Sequence, residues 1–412
     1  MPLFNQFSNN NSVHPIRMKK LLRSLVIMFC LGVTIGHPIY AADSITVKII
    51  ERLDNLSHDS LLNHSQMAMM VYDLTADSML FSHNELQLMR PASCQKVITS
   101  ISALHYLGKD YQFYTSFYTQ GEVTNNTLKG NLIVRGGFDP LFNYADMKSV
   151  IQALRGKGIE NIQGNILLDV SFKDDIEKGA GWCWDDKDKP LNPLYYNGEP
   201  HFASALKQHL INAGIKFRGQ VRTIKQVPAQ AETLIHCQRP ITEVLHYMMK
   251  DSDNLCAESI FYQLAARQGR PFASASDAIE HIEALIDSLG LNPKHYKIAD
   301  GSGLSLYNYT TPQLMLTFLR YAYSNPNIYQ TLLQALPIAS KDGTLKKRMA
   351  NTKAAGNVRA KTGAVTGIST LSGYCQAANG HLLCFTIFNQ GVVRVAHGRA
   401  YQDKVCDALT RD

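Results

Sequence analysis

The most constraining stretch is Arg90-Pro91-Ala92-Ser93-Cys94-Gln95-Lys96, which runs into apolar residues at Val97, Ile98, Ile101, Leu104 and Leu107. Those spacings predict one helix from Ser93 to about Leu107 with a buried face. Pro91 suits the entry, since its missing N–H and fixed φ cost nothing there. Ser93 then lies at the helix N-terminus, and Lys96 follows one turn later on the same face. The positive end of the helix dipole favours a developing alkoxide. A lysine amine held in a dry pocket loses proton affinity and can act as a base. A serine can be activated in this way without a histidine. The pattern is not unique, because Ser204 and Lys207 repeat it, so the rest of the chain has to decide.

The N-terminal segment reads as a leader. Met18-Lys19-Lys20-Leu21-Leu22-Arg23 is a basic n-region, Ser24 to Ile35 is mostly apolar, and Ala41-Ala42 supplies small residues for cleavage. The apolar run is short for a membrane span and is broken by Gly36, His37 and Pro38. An exported, periplasmic protein is expected, with Met18 as the initiator. Losing residues 1–42 removes four positive charges and no acidic residue, which takes the net charge from +7 to +3. That balance excludes a nucleic-acid binder on charge grounds.

Seven of the eight cysteines lie beyond the leader, at Cys94, Cys183, Cys237, Cys256, Cys375, Cys384 and Cys406. No CxxC pair occurs, so neither a zinc site nor any other cofactor is expected. Cys375 and Cys384 flank a hairpin turn at Ala378-Asn379-Gly380 and are candidates to face each other; the sequence leaves their bonding open.

The chain divides into 1–42 (leader), 43–110 (first part of a catalytic domain), 111–235 (an inserted lobe with its own strands and helices) and 236–412 (the second part). Strands are predicted at Met67–Leu74, Met79–Phe81, Gly130–Gly137, Gly164–Asp169, Val358–Lys361, Ser369–Cys375 and Leu382–Asn389. Helices are predicted at Ala257–Ala266, Ala278–Leu289, Gln313–Tyr323 and Arg394–Leu409.

Two further motifs follow Ser93-x-x-Lys96 in order. They are Ser252-Asp253-Asn254, between two helices, and Lys361-Thr362-Gly363, on a strand. Singly each has a bland reading, as a helix cap or a solvated strand charge. As an ordered set they resemble the serine penicillin-recognising enzymes. Gly181-Trp182-Cys183-Trp184-Asp185-Asp186, Asp300-Gly301-Ser302-Gly303-Leu304-Ser305 and Asp342-Gly343-Thr344-Leu345 bring the chain nearer to one branch. It is similar to the class C low-molecular-mass penicillin-binding proteins, the D-alanyl-D-alanine carboxypeptidases/endopeptidases of the penicillin-binding protein 4 type (peptidase family S13).

The resemblance implies an α/β (α+β) DD-peptidase-like fold: a five-stranded antiparallel sheet flanked by helices, with the lobe inserted. It implies Ser93 as nucleophile, Lys96 as its base, Ser252 as proton relay and Asn254 as holder of Lys96 and the substrate amide. It places the terminal carboxylate on Lys361 and Thr362, and the oxyanion on the N–H groups of Ser93 and Ala364, beside Gly363. Asp169 is implied as a contact for the amine of a diamino acid. Peptidoglycan stem peptides are the implied partners, and β-lactams the acylating inhibitors. Relatives often carry arginine where Leu306 stands, which leaves recognition of the diamino acid's free carboxylate unassigned. Oligomeric state and peripheral membrane contact stay open. A serine β-lactamase and a non-catalytic peptidoglycan-binding relative are the alternatives. Trp182 and Trp184 are read as packing residues.

Overall fold

The computed structural model describes residues 43–412, so the expected leader lies outside the described residues. Helix α1 (Ser44–Leu56) precedes a hairpin of β1 (Gln66–Asp73) and β2 (Ser78–His83). One 3-10 turn, Ala92–Cys94, leads into α2 (Gln95–Tyr106).

The next stretch builds a second sheet. It comprises β3 (Gln112–Thr124), β4 (Thr127–Arg135), α3 (Tyr144–Gly156), β5 (Asn161–Ile162), β6 (Ile166–Asp169), α4 (Phe202–Asn212), β7 (Lys216–Phe217), β8 (Val221–Ile224) and β9 (Glu232–Pro240). Helices α5 (Ile241–Lys250), α6 (Asn254–Ala266), α7 (Ala275–Ser288), α8 (Pro312–Ser324) and α9 (Pro326–Ala335) come next. Strands β10 (Arg359–Val365), β11 (Ile368–Gln376) and β12 (Leu382–Gln390), then α10 (Val395–Thr410), close the chain.

The main sheet has the strand order β10-β11-β12-β1-β2 and is antiparallel throughout. This is the five-stranded arrangement expected. Alternation along β1 shows how both faces are covered. Met70 and Tyr72 join Ile98, Ile101, Met248, Phe261 and Leu319 in one core. Met69 and Val71 join Ile49, Leu53, Val405 and Leu409, from α1 and α10, in another. Each buried aliphatic side chain of this kind stabilises by roughly 2 kcal/mol. The first of these cores is built largely by α2, α5, α6 and α8, so the helix that follows Ser93 is anchored along its length.

The second sheet has its own core, in which Phe117, Leu132 and Val134 meet Phe142, Val150, Leu154, Phe202 and Leu206. Asn125 and Asn126, both at positive φ, close the β3–β4 hairpin with a turn that suits the strand twist. β9 runs on to Pro240, beyond the expected lobe boundary at 235, and α5 starts at the next residue. At that junction Arg239 lies 2.6 Å from Asp146, 3.1 Å from Glu243 and 3.5 Å from Asp139. The nearly buried Asp139 carboxyl is pushed up to about 6, mainly by desolvation.

Cys375 and Cys384 do not face each other. Cys375 is opposite Leu383 and Cys384 is opposite Tyr374. The one-residue offset sends them to opposite faces of the sheet and into different cores. All seven cysteines among the described residues carry free thiols. A reductant should therefore leave the melting temperature of the purified protein unchanged. A fall on reduction, measured by calorimetry, would show a disulfide that this packing forbids.

Candidate active site

Ser93 sits in the 3-10 turn ahead of α2 rather than in the α-helix itself, and Cys94 caps the helix. Ala92 adopts a positive φ of 46°, a conformation that L-residues seldom take and that the surroundings must enforce. Two contacts do so. Thr370 on β11 donates its hydroxyl to the Pro91 carbonyl at 2.7 Å, and the Cys94 thiol donates to the Lys361 carbonyl at 3.2 Å. The serine is thereby pinned against the edge of the main sheet.

Lys96 lies in the first turn of α2 and is fully buried. Its Nζ is 2.7 Å from the Asn254 Oδ1, 2.7 Å from the Ser302 carbonyl and 3.0 Å from the Ser93 Oγ. A neutral amine has two N–H bonds and one lone pair. The Ser302 carbonyl and Asn254 Oδ1 can only accept, so they take both hydrogens. The lone pair is then left facing the Ser93 hydroxyl. Burial brings the Lys96 pKa down to about 8, against the opposing pull of Asp300, Glu258, Asp253 and Asp188.

Ser252 lies in the turn between α5 and α6, and Asn254 is the first residue of α6. Ser252 has a positive φ of 62°, and the Asp253 side chain caps α6 by accepting from the Cys256 N–H. Lys361 on β10 reaches this turn: its Nζ donates to the Ser252 Oγ at 2.8 Å and to the Thr362 carbonyl at 2.7 Å. Lys361 is also fully buried, and its pKa is held down to about 7 by desolvation and then by the nearby charge of Lys96. Thr362 donates to the Thr344 hydroxyl at 2.8 Å, and Ala364 is exposed two positions on. Gly363 has to be glycine. A Cβ there would come 2.1 Å from the Thr370 Oγ1 and 2.8 Å from the Pro91 carbonyl. β10 is an edge strand; its start is covered, with the Ala360 N–H donating to the Pro337 carbonyl and Arg359 bridged to Ile338, so an extended peptide would pair along the part from Thr362 onward.

Two hydrogen-bonded groups therefore meet here: Lys96 with Ser93 and Asn254, and Lys361 with Ser252. The two lysines are near enough for the charge of Lys96 to act on Lys361, and Thr362, Gly363 and Ala364 lie along the strand side. Asp169 is part of neither group. Its carboxylate is 1 % exposed, accepts from the Ser171 N–H at 2.9 Å and stands 3.9 Å from Arg135. An inward-facing carboxylate with these partners does not suit the expected contact to a substrate amine.

Other residues of the site were not assigned from sequence. Asp300 is the hub of its loop. It accepts from the Trp182 Nε1, the Ser302 hydroxyl, the Gly303 and Ser305 N–H groups and the Asn308 side chain. This rigid loop is what aims the Ser302 carbonyl at Lys96. Trp182 is therefore a hydrogen-bonding residue as well as a packing one, whereas Trp184 is 90 % exposed and packs on little. Glu258 accepts from the Gly301 and Ser302 N–H groups, and burial raises its pKa to about 8. The Asp188 Oδ1 accepts from the Asn254 Nδ2 at 2.8 Å. Among the described residues no cluster of His, Cys, Asp and Glu is arranged to hold a metal ion.

Fold and site together define a serine acyl-transfer enzyme of the penicillin-recognising class. The model of the D-Ala-D-Ala carboxypeptidase 3 (S13) family matches residues 49–195 and 195–411. The chain belongs to that family of serine-type peptidases. It is 26 % identical to the D-alanyl-D-alanine carboxypeptidase DacB of Haemophilus influenzae, over 79 % of this chain and 86 % of that one. It is 24 % identical to a D-alanyl-D-alanine carboxypeptidase of Actinomadura sp. (strain R39), over 83 % and 80 %. Among solved structures, penicillin binding protein 4 (dacB) of Haemophilus influenzae superposes with a TM-score of 0.77 over 88 % of this chain and 98 % of that one, at 24 % identity. The Bd3459 predatory endopeptidase of Bdellovibrio bacteriovorus gives 0.56 over 82 % and 91 %, at 18 % identity.

Gly303 tests how tightly the loop and the serine are fitted. It has a φ of +80°, and a Cβ would lie 1.9 Å from the Ala92 carbonyl. Gly303→Ala should push the Ser93 turn off the sheet and lower the rate of Ser93 acylation at least about ten-fold. Labelling kinetics with a fluorescent penicillin check this; an unchanged rate would show that the loop does not hold the turn.

Proposed function

We propose that the protein is an exported serine DD-carboxypeptidase that removes the terminal D-alanine from peptidoglycan stem peptides. The observation that carries this reading is the buried Lys96 amine held 3.0 Å from the Ser93 hydroxyl oxygen. The family's serine-type chemistry and the named activity of its carboxypeptidase relatives support the substrate class. The periplasm is the proposed location, on the leader pattern of residues 18–42.

In this mechanism the Ser93 oxygen attacks the carbonyl carbon between the two D-alanines while its proton moves to Lys96. The oxyanion is stabilised by the backbone N–H groups of Ser93 and Ala364, each worth ~3 kcal/mol in such sites. The C–N bond then breaks. The leaving amine takes the proton that Lys96 accepted from Ser93, relayed by the Ser252 hydroxyl, so Lys96 is again neutral when water attacks; Lys361 stays charged and holds the Ser252 oxygen. The terminal carboxylate of the substrate sits on Lys361 and Thr362. Water then attacks the ester, which frees the shortened peptide and Ser93. Endopeptidase action on D-alanyl-diamino-acid crosslinks uses the same steps with a larger leaving group, and an open edge strand has room for it.

β-Lactams would acylate Ser93 by the same attack; β-lactam complexes and a penicillin G acylated form are described for relatives. Hydrolysis of that ester should be slow. The carboxyls beside Lys96 are already engaged, Glu258 by two backbone N–H groups and Asp188 by Asn254. Among the described residues, these contacts hold the carboxyls in place around Lys96 rather than around a water beside Ser93, which favours a peptidase over a β-lactamase. Incubation with a fluorescent penicillin should give a long-lived adduct that Ser93→Ala abolishes. Release of D-alanine from a peptide ending in D-Ala-D-Ala, followed by mass spectrometry, should be lost in the same variant. An adduct that decays within seconds would support a β-lactamase, and absence of any adduct a binding protein.

The pH dependence should split into two parts. Lys96 must be neutral to accept the proton, so the acylation step should rise with pH through about 8 and then level. Lys361 must be charged to hold a carboxylate, so apparent substrate affinity should weaken as pH rises above about 7. Saturation kinetics at a series of pH values separate the two; a first step that instead falls with pH would rule out Lys96 as base.

A further inference from the structure

We propose that Asp188 is a positioning residue of this site: carried in by the segment between β6 and α4, it fixes the amide of Asn254 and, through that amide, the amine of Lys96. The inference rests on the reading of Lys96 as the base for Ser93.

The geometry is a chain of three side chains. The Asp188 Oδ1 accepts from the Asn254 Nδ2 at 2.8 Å, and the Asn254 Oδ1 accepts from the Lys96 Nζ at 2.7 Å. The two ends of an asparagine amide have nearly the same size but opposite hydrogen-bonding sense. Turned over, Asn254 would present N–H groups to a lysine that can spare only its lone pair. That lone pair would then bond to Asn254 and no longer face Ser93. A carboxylate is an acceptor only, so Asp188 allows one orientation of the amide and forbids the other.

Asp188 also acts by charge. The groups that face the Lys96 amine are Glu258 and Asp253 of α6 and its cap, Asp300 of the loop, Lys361 of β10, the thiols of Cys94 and Cys256, and Asp188 itself. Burial disfavours the ammonium form, and Asp188 is one of the carboxylates that oppose it. Its immediate sequence neighbours, Lys187 and Lys189, do not compete for Asn254. Lys189 is engaged with Glu199 at 2.7 Å and with the Gly198 carbonyl, and Lys187 is exposed. The same segment bears Trp182, which donates to Asp300. One stretch of the inserted region therefore braces both residues that hold Lys96: Ser302, through the Asp300 loop, and Asn254, through Asp188.

The test measures acylation of Ser93 by a fluorescent penicillin, on the whole protein, from about pH 6 to about pH 10. In Asp188→Asn the new side-chain oxygen can still accept from Asn254 while the charge is gone. The plateau rate should stay within about two-fold of the wild type. The midpoint of the pH profile should move to lower pH, so that the variant labels faster than the wild type on the acid side. In Asp188→Ala the hydrogen bond is lost as well, and the plateau should fall about ten-fold. Melting temperatures of both variants show that the fold is retained. The inference is overturned if the wild type is labelled at Ser93 but both variants keep its plateau and midpoint. It is overturned equally if Asp188→Asn loses as much rate as Asp188→Ala with an unmoved midpoint, the result for a residue that merely supports the loop. A wild type that takes no label would instead remove the base assignment on which the inference stands.

Discussion

Two buried lysines set the terms for this structure. An ammonium group out of water is costly unless it is hydrogen-bonded or gives up its proton. Lys96 and Lys361 do both in part. Each is fully buried, each has a lowered pKa, and each spends its hydrogens on oxygens held by a different part of the chain. Lys96 joins α2 to α6 and to the Asp300 loop. Lys361 joins β10 to the turn after α5. Helical half and sheet are thus tied across the cleft by the same groups that the proposed mechanism uses.

This explains why the site needs strained backbone. Ala92 and Ser252 both adopt positive φ, and neither is a glycine or an asparagine, the residues for which that region costs least. A regular helix would turn the Ser93 hydroxyl along its own axis. The 3-10 turn after Ala92 instead sets it between Lys96 and the sheet edge. The turn at Ser252 likewise points one side chain at Lys361 while Asp253 still caps α6. Such distortions persist only where neighbours over-determine them. The Thr370–Pro91 bond and the close approach of Gly303 to Ala92 supply that pressure.

Much of the main fold was legible because its signals are local. Short, largely apolar runs marked β1 and β12, and three- and four-residue spacings marked α2, α7 and α8. The strand β3 was missed. Its inward positions include Thr115 and Thr119 beside Phe113 and Phe117, so polarity does not alternate as burial does. Helix α1 was overlooked beside the leader, although Ile45, Ile49, Leu53 and Leu56 repeat at helical spacing. At the site, short motifs that the chain carries intact placed Ser93, Ser252, Asn254 and Lys361 in one order. Asp188, Glu258 and the Ser302 carbonyl could not be found in that way. A carbonyl is present at every residue, and which carboxylate meets Asn254 depends on how a 66-residue separation closes in space. Asp169 is a different case: a strand-end carboxylate has the right chemistry for an amine, and in the structure it lies buried beside Ser171 and Arg135, apart from the hydrogen bonds around Ser93.

The two lysines also bear on how substrate binding prepares the site. In the free protein Lys361 is kept from full protonation by desolvation and by the charge of Lys96. A carboxylate arriving on Lys361 reverses the first effect by supplying a counter-charge, and so favours the ammonium there. That new positive charge lies across the same cleft from Lys96 and disfavours the ammonium on it. A ligand with a terminal carboxylate draws positive charge to the binding lysine and leaves the base free. On the proposed mechanism, a peptide without that carboxylate would enter the same groove without this redistribution, so the proton equilibrium would favour a free C-terminus alongside the contact itself.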